Sequence, residues 1–385
     1  MTHKNMQFND LSNLNMSYDR VNDPWQLGFI IGYMILFILI ISSNLIAIVA
    51  GYRRFKKCKN LTLNLRKRSS ELTRCMLLIY LSILDILLCL TIPMVAISLL
   101  SMTSPFENLS IDWMCHYTKF FPALAINAMS MWIILIAVDS YQNICRPLNM
   151  QFTPTSTVYI FILIIVIASL IASPLFFATQ IIVIPTNIKL ASDMQESTSG
   201  ETNASIFDTN GESDEDHTTI RTSDISICVE NWNFSLTRNL LNDKSGRLLY
   251  SIFTLIIQYL IPFLTISILH TLVIVELRLQ GERRRGLILE ISKNSQYVND
   301  TSRLKRNVIL LTTMSLVFCF CWLPQNLIYI ALDQFHDLLG YDPRTTVKLC
   351  VICHWIGMVS TCANPIIYGF FNNTIRQGIN MKTFL

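Results

Sequence analysis

Long apolar runs recur along this chain, and each is as long as a helix that crosses a lipid bilayer. A helical residue advances about 1.5 Å, so about 20 apolar residues span the roughly 30 Å hydrocarbon layer. None of the runs has the polar face at helical spacing that a soluble core helix would need. Seven such runs occur, at 27–52, 75–100, 114–144, 158–185, 248–277, 307–332 and 347–371. The pattern therefore predicts an all-α integral membrane protein, a bundle of seven transmembrane helices.

The polar segments predict how the rest of the chain is organised. Residues 27–371 are expected to form the seven-helix bundle, and residues 1–26 an extracellular tail. This tail has no hydrophobic run, so the first helix is expected to act as the insertion signal. The loop at 186–247 is long and acidic. Its part at 191–224 is rich in Ser, Thr, Asp and Glu and is expected to be disordered.

The end of the chain carries a short amphipathic pattern. Phe371, Ile375 and Ile379 repeat at a spacing of four residues. Such a stripe suits a helix that lies along the inner membrane surface. Residues 372–385 are therefore predicted to form a short eighth helix and a cytoplasmic tail.

Composition and charge agree with a membrane protein and predict its orientation. Of 385 residues, 52% are hydrophobic and 15% are charged, which is too apolar for an ordinary soluble domain. Residues 51–74 hold nine Lys and Arg against one Glu, and residues 276–306 hold eight more. Cytoplasmic loops collect Lys and Arg, so both segments are predicted to lie inside and the amino terminus outside. The opposite side is acidic and would attract a cationic ligand, although a merely soluble acidic loop has the same composition.

The predicted orientation leads to further predictions about cysteines and glycosylation sequons. Of eleven cysteines, only Cys115 and Cys228 lie in segments predicted to face outward, where an oxidising environment favours a disulfide between them. Four sequons on the same side are predicted to be glycosylated: Asn15, Asn108, Asn203 and Asn233. Matching triplets on the inner side are predicted to stay unmodified: Asn60, Asn299 and Asn372.

Three polar residues stand inside the apolar runs, where each needs a partner or a purpose. Asp85 lies midway along the second predicted helix, Asn44 midway along the first, and Asn364 near the inner end of the seventh. A polar cluster that joins these three helices would satisfy all of them. It is either a structural hydrogen-bond network or a cation site or switch centred on Asp85.

Two predicted helices contain prolines that suit a bundle whose cytoplasmic ends move apart. In the sixth, Phe318 is followed by Trp322 and then by Pro324, which removes a backbone donor and kinks the helix. The seventh contains Pro365 and, three residues later, Tyr368. Such hinges allow an opening of the bundle at its inner side.

In order and spacing, these features resemble the rhodopsin-like, or class A, G-protein-coupled receptors over roughly residues 28–376. The matching positions are Asn44, Asp85, Cys115, Asp139 with Tyr141, residues 146–148, Pro262, Phe318, residues 321–324 and residues 364–368. The resemblance implies a multi-pass receptor of the plasma membrane that signals to a heterotrimeric G protein. The switch and coupling residues that it implies are Asp139, Ser140, Tyr141, Phe318, Trp322, Pro324, Asn364, Pro365 and Tyr368.

Within this class the chain is most similar to the receptors for neuropeptide Y and invertebrate neuropeptide F. The similarity is carried by residues 258–262, 321–324, 353–365 and 368–372. It implies an extracellular neuropeptide ligand, amidated and ending in Arg-Phe or Arg-Tyr, and coupling of the Gi/o type. The ligand-binding residues that it implies are Asp333, Gln258, His354 and Tyr329. Asp333 would meet the arginine of the peptide, although a solvated helix-end charge is the other interpretation.

The chain departs from the family pattern at its signalling machinery. An arginine is expected after Asp139, but Ser140 stands there, and His270 replaces a tyrosine expected in the fifth helix. Pro122 replaces a polar pocket residue, and Met129 replaces a serine of the sodium site. These departures bear on G-protein activation and sodium regulation rather than on the fold.

The departures leave two alternatives to a signalling neuropeptide receptor. One is an atypical seven-helix receptor that binds ligand but couples weakly to G proteins. The other is a transporter or channel, which would need charged pairs or broken helices near the midplane and usually shows internal repeats. An enzyme is not expected, because no nucleophile-base pair emerges. No cofactor, metal or nucleic-acid partner is predicted; the basic inner loops are expected to contact membrane lipids.

Overall fold

Seven helices long and apolar enough to cross a membrane make up most of the structure. The computed structural model describes residues 24–60, 65–94, 111–146, 152–187, 222–232, 243–288, 309–310, 312–331 and 343–371. The helices are α1 Pro24–Asn60, α2 Leu65–Cys89, α3 Ile111–Cys145, α4 Pro154–Ala178, α5 in three continuous parts (Asp243–Leu255, Ile256–Leu260 and Ile261–Ile288), α6 Thr312–Ala331 and α7 Pro343–Phe371. The predicted seven-helix bundle is confirmed. The predicted eighth helix lies outside the described residues.

A two-stranded hairpin follows α4 and corrects one predicted boundary. The fourth span was predicted to reach residue 185, but α4 ends at Ala178 and strand β1 runs over Thr179–Asn187. Strand β2, Thr222–Glu230, pairs antiparallel with β1, from Thr179 opposite Glu230 to Asn187 opposite Thr222. The prediction was wrong because an apolar run such as 181–184 suits a strand as well as a helix end. We call the end of the bundle that carries this hairpin the hairpin end.

The bundle is apolar on its outside as well as in its core, as lipid contact requires. The outer surface of α4 exposes large side chains such as Tyr159, Leu163 and Leu170, while Ala168 and Ala172 are fully buried. Small residues that face inward let helices approach closely, and in lipid this packing replaces the hydrophobic drive of a soluble core. Other helices also expose large apolar side chains; Ile38 of α1 is 62% exposed and Phe320 of α6 is 71% exposed.

Local sequence explains where two of the helices begin or change geometry. Helix α4 starts at a capping box: the side chain of Thr153 accepts from the backbone of Ser156, the side chain of Ser156 accepts in return, and Pro154 occupies the first turn. In α5 the segment Ile256–Leu260 is a π-helical turn just before Pro262. Pro262 has no backbone N–H to donate, so the regular ladder is already interrupted at this point.

Helices α2, α3 and α4 meet around one tryptophan. Trp132 of α3 is fully buried, and its indole N–H donates to the carbonyl of Leu77 at 2.8 Å. Its ring packs edge-on against Tyr80 of α2 and Phe161 of α4, with centroid distances of 5.6 and 5.3 Å. Tyr80 and Phe161 also stack on each other at 4.3 Å. Three helices are thus fixed at one point.

Candidate ligand pocket and conformational switches

The polar residues at the middle of the bundle form hydrogen bonds across helices. The amide of Asn364 on α7 donates to both carboxylate oxygens of Asp85 on α2, at 3.2 and 3.0 Å. Asn44 of α1 donates to the carbonyl of Thr361, at 3.2 Å. All three polar side chains are buried. The contacts therefore link α1 and α2 to α7, with Asn44 bonded to the α7 backbone rather than to Asp85 itself.

Trp322 of α6 lies directly against α7. Its indole N–H donates to the hydroxyl of Ser360 at 2.9 Å, and a β-carbon at position 357 would lie 2.8 Å from the indole ring. Only glycine therefore fits at Gly357 with the ring in this place. One turn below, Phe318 stacks with Tyr259 of α5 at 6.2 Å. The two predicted switch residues thus tie α6 to both of its neighbours.

We take as the candidate ligand pocket the region between α3, α5, α6 and α7 where buried polar side chains meet. Gln258 donates to the side-chain oxygen of Asn127 at 3.1 Å, and Asn326 donates to the hydroxyl of Tyr259 at 2.6 Å. The buried oxygen of Gln258 meets no hydrogen-bond partner among the described residues, whereas the Gln325 amide lies beside Tyr329 of the same helix. Buried amide groups normally find a partner, so the Gln258 oxygen is available to a ligand.

His354 of α7, another predicted ligand-binding residue, contacts both α1 and α6. Its Nδ1 lies 2.8 Å from the hydroxyl of Tyr33 on α1, and its ring lies edge-on to Trp322 at 6.3 Å. His354 therefore contacts the same tryptophan that donates to Ser360 of α7. Tyr329 of α6 lies one turn outward of Gln325 and is half exposed.

A cluster of charges anchors the hairpin beside the pocket. Glu230, at the end of β2, accepts from Lys119 of α3 at 2.8 Å and lies 3.4 Å from the guanidinium of Arg247 on α5. The indole N–H of Trp232 also donates to it, at 3.3 Å. Burial by itself raises the pKa of the Glu230 carboxyl, but Lys119 and Arg247 outweigh burial and lower it. The hairpin is thereby joined to two helices that line the pocket.

The opposite end of the bundle holds the predicted coupling residues. Asp139 of α3 is almost fully buried and pairs with Arg74 of α2 at 3.9 Å. Tyr141 packs against a small cluster formed by Ile144 of α3 with Val273 and Leu277 of α5. These contacts bring α2 and α5 against α3 at the end of the bundle away from the hairpin.

His270 occupies the α5 position where a tyrosine is expected. Its Nδ1 lies 2.8 Å from the hydroxyl of Thr312 on α6. The histidine therefore bridges α5 and α6, and the two helices are linked by a side-chain hydrogen bond even without the tyrosine.

Some predicted site residues lie outside the described part of the structure. They are Asp333, the four outer sequons Asn15, Asn108, Asn203 and Asn233, and the side chains of Cys228 and Tyr368. Cys115 is disulfide-bonded, and nine other cysteines are free. The backbone of Cys228 lies in β2 opposite Ile181, and its pairing with Cys115 stays a prediction.

Seven membrane-length helices with this order of polar and proline positions match a known family model. The model of the seven-transmembrane receptors of the rhodopsin family matches residues 60–188 and 206–368. The chain belongs to this family. A receptor of this family is not an enzyme, and the transporter alternative loses its support for the same reason. The protein is therefore a multi-pass membrane receptor.

Curated relatives of this receptor carry neuropeptide names. It is 28% identical to the neuropeptide F receptor of Drosophila melanogaster over 365 residues, which cover 94% of this chain and 63% of that receptor. It is 26% identical to the neuropeptide Y receptor type 6 of Mus musculus, covering 91% and 79% of the two chains. The corresponding rabbit receptor, from Oryctolagus cuniculus, is 25% identical over 91% and 78%. The predicted similarity to this group is confirmed.

Sequence reasoning missed several residues of this receptor that the structure brings together. Asn127, Gln325 and the Lys119–Glu230–Arg247 cluster were not singled out, and neither was Arg74. The signal for Lys119 was present, since a cation one turn past Cys115 lies inside an apolar run. Its partners were not readable, because Glu230 and Arg247 lie more than a hundred residues further along the chain.

Proposed function

We propose that this receptor binds an extracellular, carboxyl-amidated neuropeptide and activates a heterotrimeric G protein. The observation that carries the ligand class is the buried side-chain oxygen of Gln258, which no described residue satisfies. A peptide carboxamide can donate a hydrogen bond to this oxygen, whereas an ionised carboxylate has only acceptor atoms and cannot. The neuropeptide names of the relatives support the same class.

The arginine of the peptide is assigned to Asp333. The sequence places this acid two residues beyond the end of α6 and four beyond Tyr329. In the charge cluster on the α3–α5 side, the Glu230 carboxylate already contacts two cations, so an arginine of the ligand would meet positive charge there. A ligand that enters amide-first would therefore turn its arginine toward Asp333.

Direct measurement of peptide-stimulated nucleotide exchange tests this proposal. Membranes that contain the receptor and Gi/o protein are expected to respond to amidated Arg-Phe or Arg-Tyr peptides and to respond much less to the free acids. Response to neither form would overturn the neuropeptide assignment. Binding without nucleotide exchange would instead favour the second candidate function, a receptor that couples weakly, for which Ser140 and His270 are the motivating residues.

Replacing Asp333 with asparagine is expected to weaken binding of the arginine peptide about tenfold, because one charge-assisted contact at the membrane boundary is lost. The measurement is a competition binding curve with matched amidated peptides that carry arginine or its neutral isostere citrulline. The citrulline peptide should bind the parent and the variant alike. Asp337→Asn, on the same side of the chain, serves as the control. Equal losses for both peptides would contradict the assignment.

The orientation is proposed from the charge of the loops: hairpin and amino terminus outside, carboxyl terminus in the cytoplasm, in the plasma membrane. We expect glycan at Asn15, Asn108, Asn203 and Asn233 and none at Asn60, the exposed last residue of α1. Sequential Asn→Gln changes at the first four should each increase gel mobility by one glycan step, and Asn60→Gln should change nothing. A glycan at Asn60 would invert the assignment.

A further inference from the structure

Four charged residues alternate in sign across the end of the bundle away from the hairpin. Arg54 of α1 lies 3.5 Å from Glu71 of α2, and Glu71 lies 3.8 Å from Arg74 one turn along the same helix. Arg74 in turn lies 3.9 Å from Asp139 of α3. The row carries two positive and two negative charges and links three helices. We call it the inner charge row.

Asp139 is the most buried residue of this row. Its side chain is 4% exposed, whereas that of Arg74 is 32% exposed. In the described part of the chain, Arg74 is the only cation within 4.0 Å of the Asp139 carboxylate. A buried carboxylate without a counter-charge is costly, so Asp139 depends on α2 for its neutralisation.

Further hydrogen bonds hold the end of α2 against α3 and against the segment just before α4. The hydroxyl of Ser70 donates to the side-chain oxygen of Asn143 at 2.7 Å, and the hydroxyl of Thr73 donates to the carbonyl of Phe152 at 2.9 Å. The amide of Asn143 donates to the carbonyl of Asp139 at 2.7 Å. Ser70 and Asn143 thus form a second contact between α2 and α3, one turn from Arg74 on α2 and one turn from Asp139 on α3.

The position beside Asp139 explains why a cation from another helix is needed. Ser140 offers no positive charge where a neighbouring arginine would neutralise Asp139 within α3 itself. We propose that Arg74 is the resting-state partner of Asp139, so that this receptor is held inactive by an ion pair between α2 and α3. The inference rests on the proposed G-protein coupling, and it names the residue that regulates it.

Arg74 also has a second carboxylate partner, Glu71, that remains within reach when its pair with Asp139 breaks. Glu71 lies at nearly the same distance from the guanidinium as Asp139 does, 3.8 against 3.9 Å. The arginine can therefore leave Asp139 and keep its contact with Glu71. Because the partners lie on different helices, breaking the pair loosens the contact between the inner ends of α2 and α3.

Basal nucleotide exchange, measured without peptide, tests the proposed role. Arg74→Ala is expected to raise basal exchange about fivefold, the lower end of typical coupling between two states. Arg54→Ala is the matched control, since it breaks the same row at its other end and leaves Asp139 paired. Adding Ser140→Arg to Arg74→Ala is expected to return basal exchange toward the parent value, because a guanidinium is restored beside Asp139. An unchanged Arg74→Ala, or an equal rise in Arg54→Ala, would overturn the proposal.

A second measurement separates this inference from the proposed function. The melting midpoint of the purified receptor is compared for Arg74→Ala, Asp139→Ala and the double variant. If the two residues pair, the double variant loses less than the sum of the single losses; additive losses would overturn the pair. Should no variant catalyse nucleotide exchange while the losses remain non-additive, the proposed coupling fails and the ion pair stands.

Discussion

Replacing Trp132 with alanine is expected to destabilise the bundle by about 2–4 kcal/mol, the largest effect we anticipate from one substitution. The tryptophan is fully buried where α2, α3 and α4 meet, and its N–H donates to Leu77. Lipid is as apolar as the core of the bundle, so the free energy of moving an apolar side chain out of water does not contribute to this loss. The cavity and the lost contacts with Tyr80 and Phe161 remain. The melting midpoint should fall by several degrees.

A thiol-reactive fluorophore measures this midpoint, because buried free cysteines such as Cys75 and Cys89 become reactive only on unfolding. Trp132→Phe keeps an aromatic ring and should lose only about 1 kcal/mol, mainly the hydrogen bond. Trp113→Ala is the control on the same helix, since Trp113 is 48% exposed. Equal shifts for Trp132→Ala and Trp113→Ala would contradict the packing described here.

Replacing Glu230 with glutamine is expected to cost about 1–3 kcal/mol of stability, because Lys119 and Arg247 would then face each other without the carboxylate between them. The figure is below that of a fully buried pair, since both cations are more than one third exposed. Peptide affinity should fall as well, because removing the negative charge of Glu230 makes this cluster more repulsive to an arginine-containing ligand.

The same substitution should change how stability depends on pH. The pKa of Glu230 is lowered in the folded receptor, so its contribution is fully present above the ordinary glutamate value of about 4.3. It is lost as the pH falls through the lower folded-state value. Between pH 7 and pH 3 the melting midpoint of the parent should therefore fall more than that of Glu230→Gln. The exposed Glu282→Gln variant should follow the parent; an identical pH response of Glu230→Gln would refute the cluster's role.

At two positions where the sequence departs from the family pattern, the structure shows a contact that replaces the expected one. Ser140 removes a positive charge beside Asp139, yet Arg74 supplies one from α2. His270 removes a tyrosine, yet it contacts Thr312 and still joins α5 to α6. Both replacements involve a contact between helices, so they favour a receptor whose resting state is held differently over one that has lost its switches.

Hydrophobic length by itself determined the architecture of this protein. A run of about twenty apolar residues has few structures open to it in a bilayer, because every backbone group must be satisfied within the segment. Seven apolar runs therefore predicted seven helices, but hydrophobic length did not predict where each helix ends. Residues 179–185 were assigned to the fourth helix and form strand β1, since their partner strand starts at Thr222, beyond any local pattern.

The sequence also marked single costly residues inside the membrane, but it could not pair them. Asp85, Asn44 and Asn364 stood out because a polar group in lipid needs a partner. Tertiary structure decided that Asn364 bonds Asp85, whereas Asn44 bonds the α7 backbone at Thr361. It likewise decided that Glu230 reaches Lys119, 111 residues away, and that Arg74 reaches Asp139. Such pairs depend on how helices pack side by side, and no local property of the chain records that arrangement.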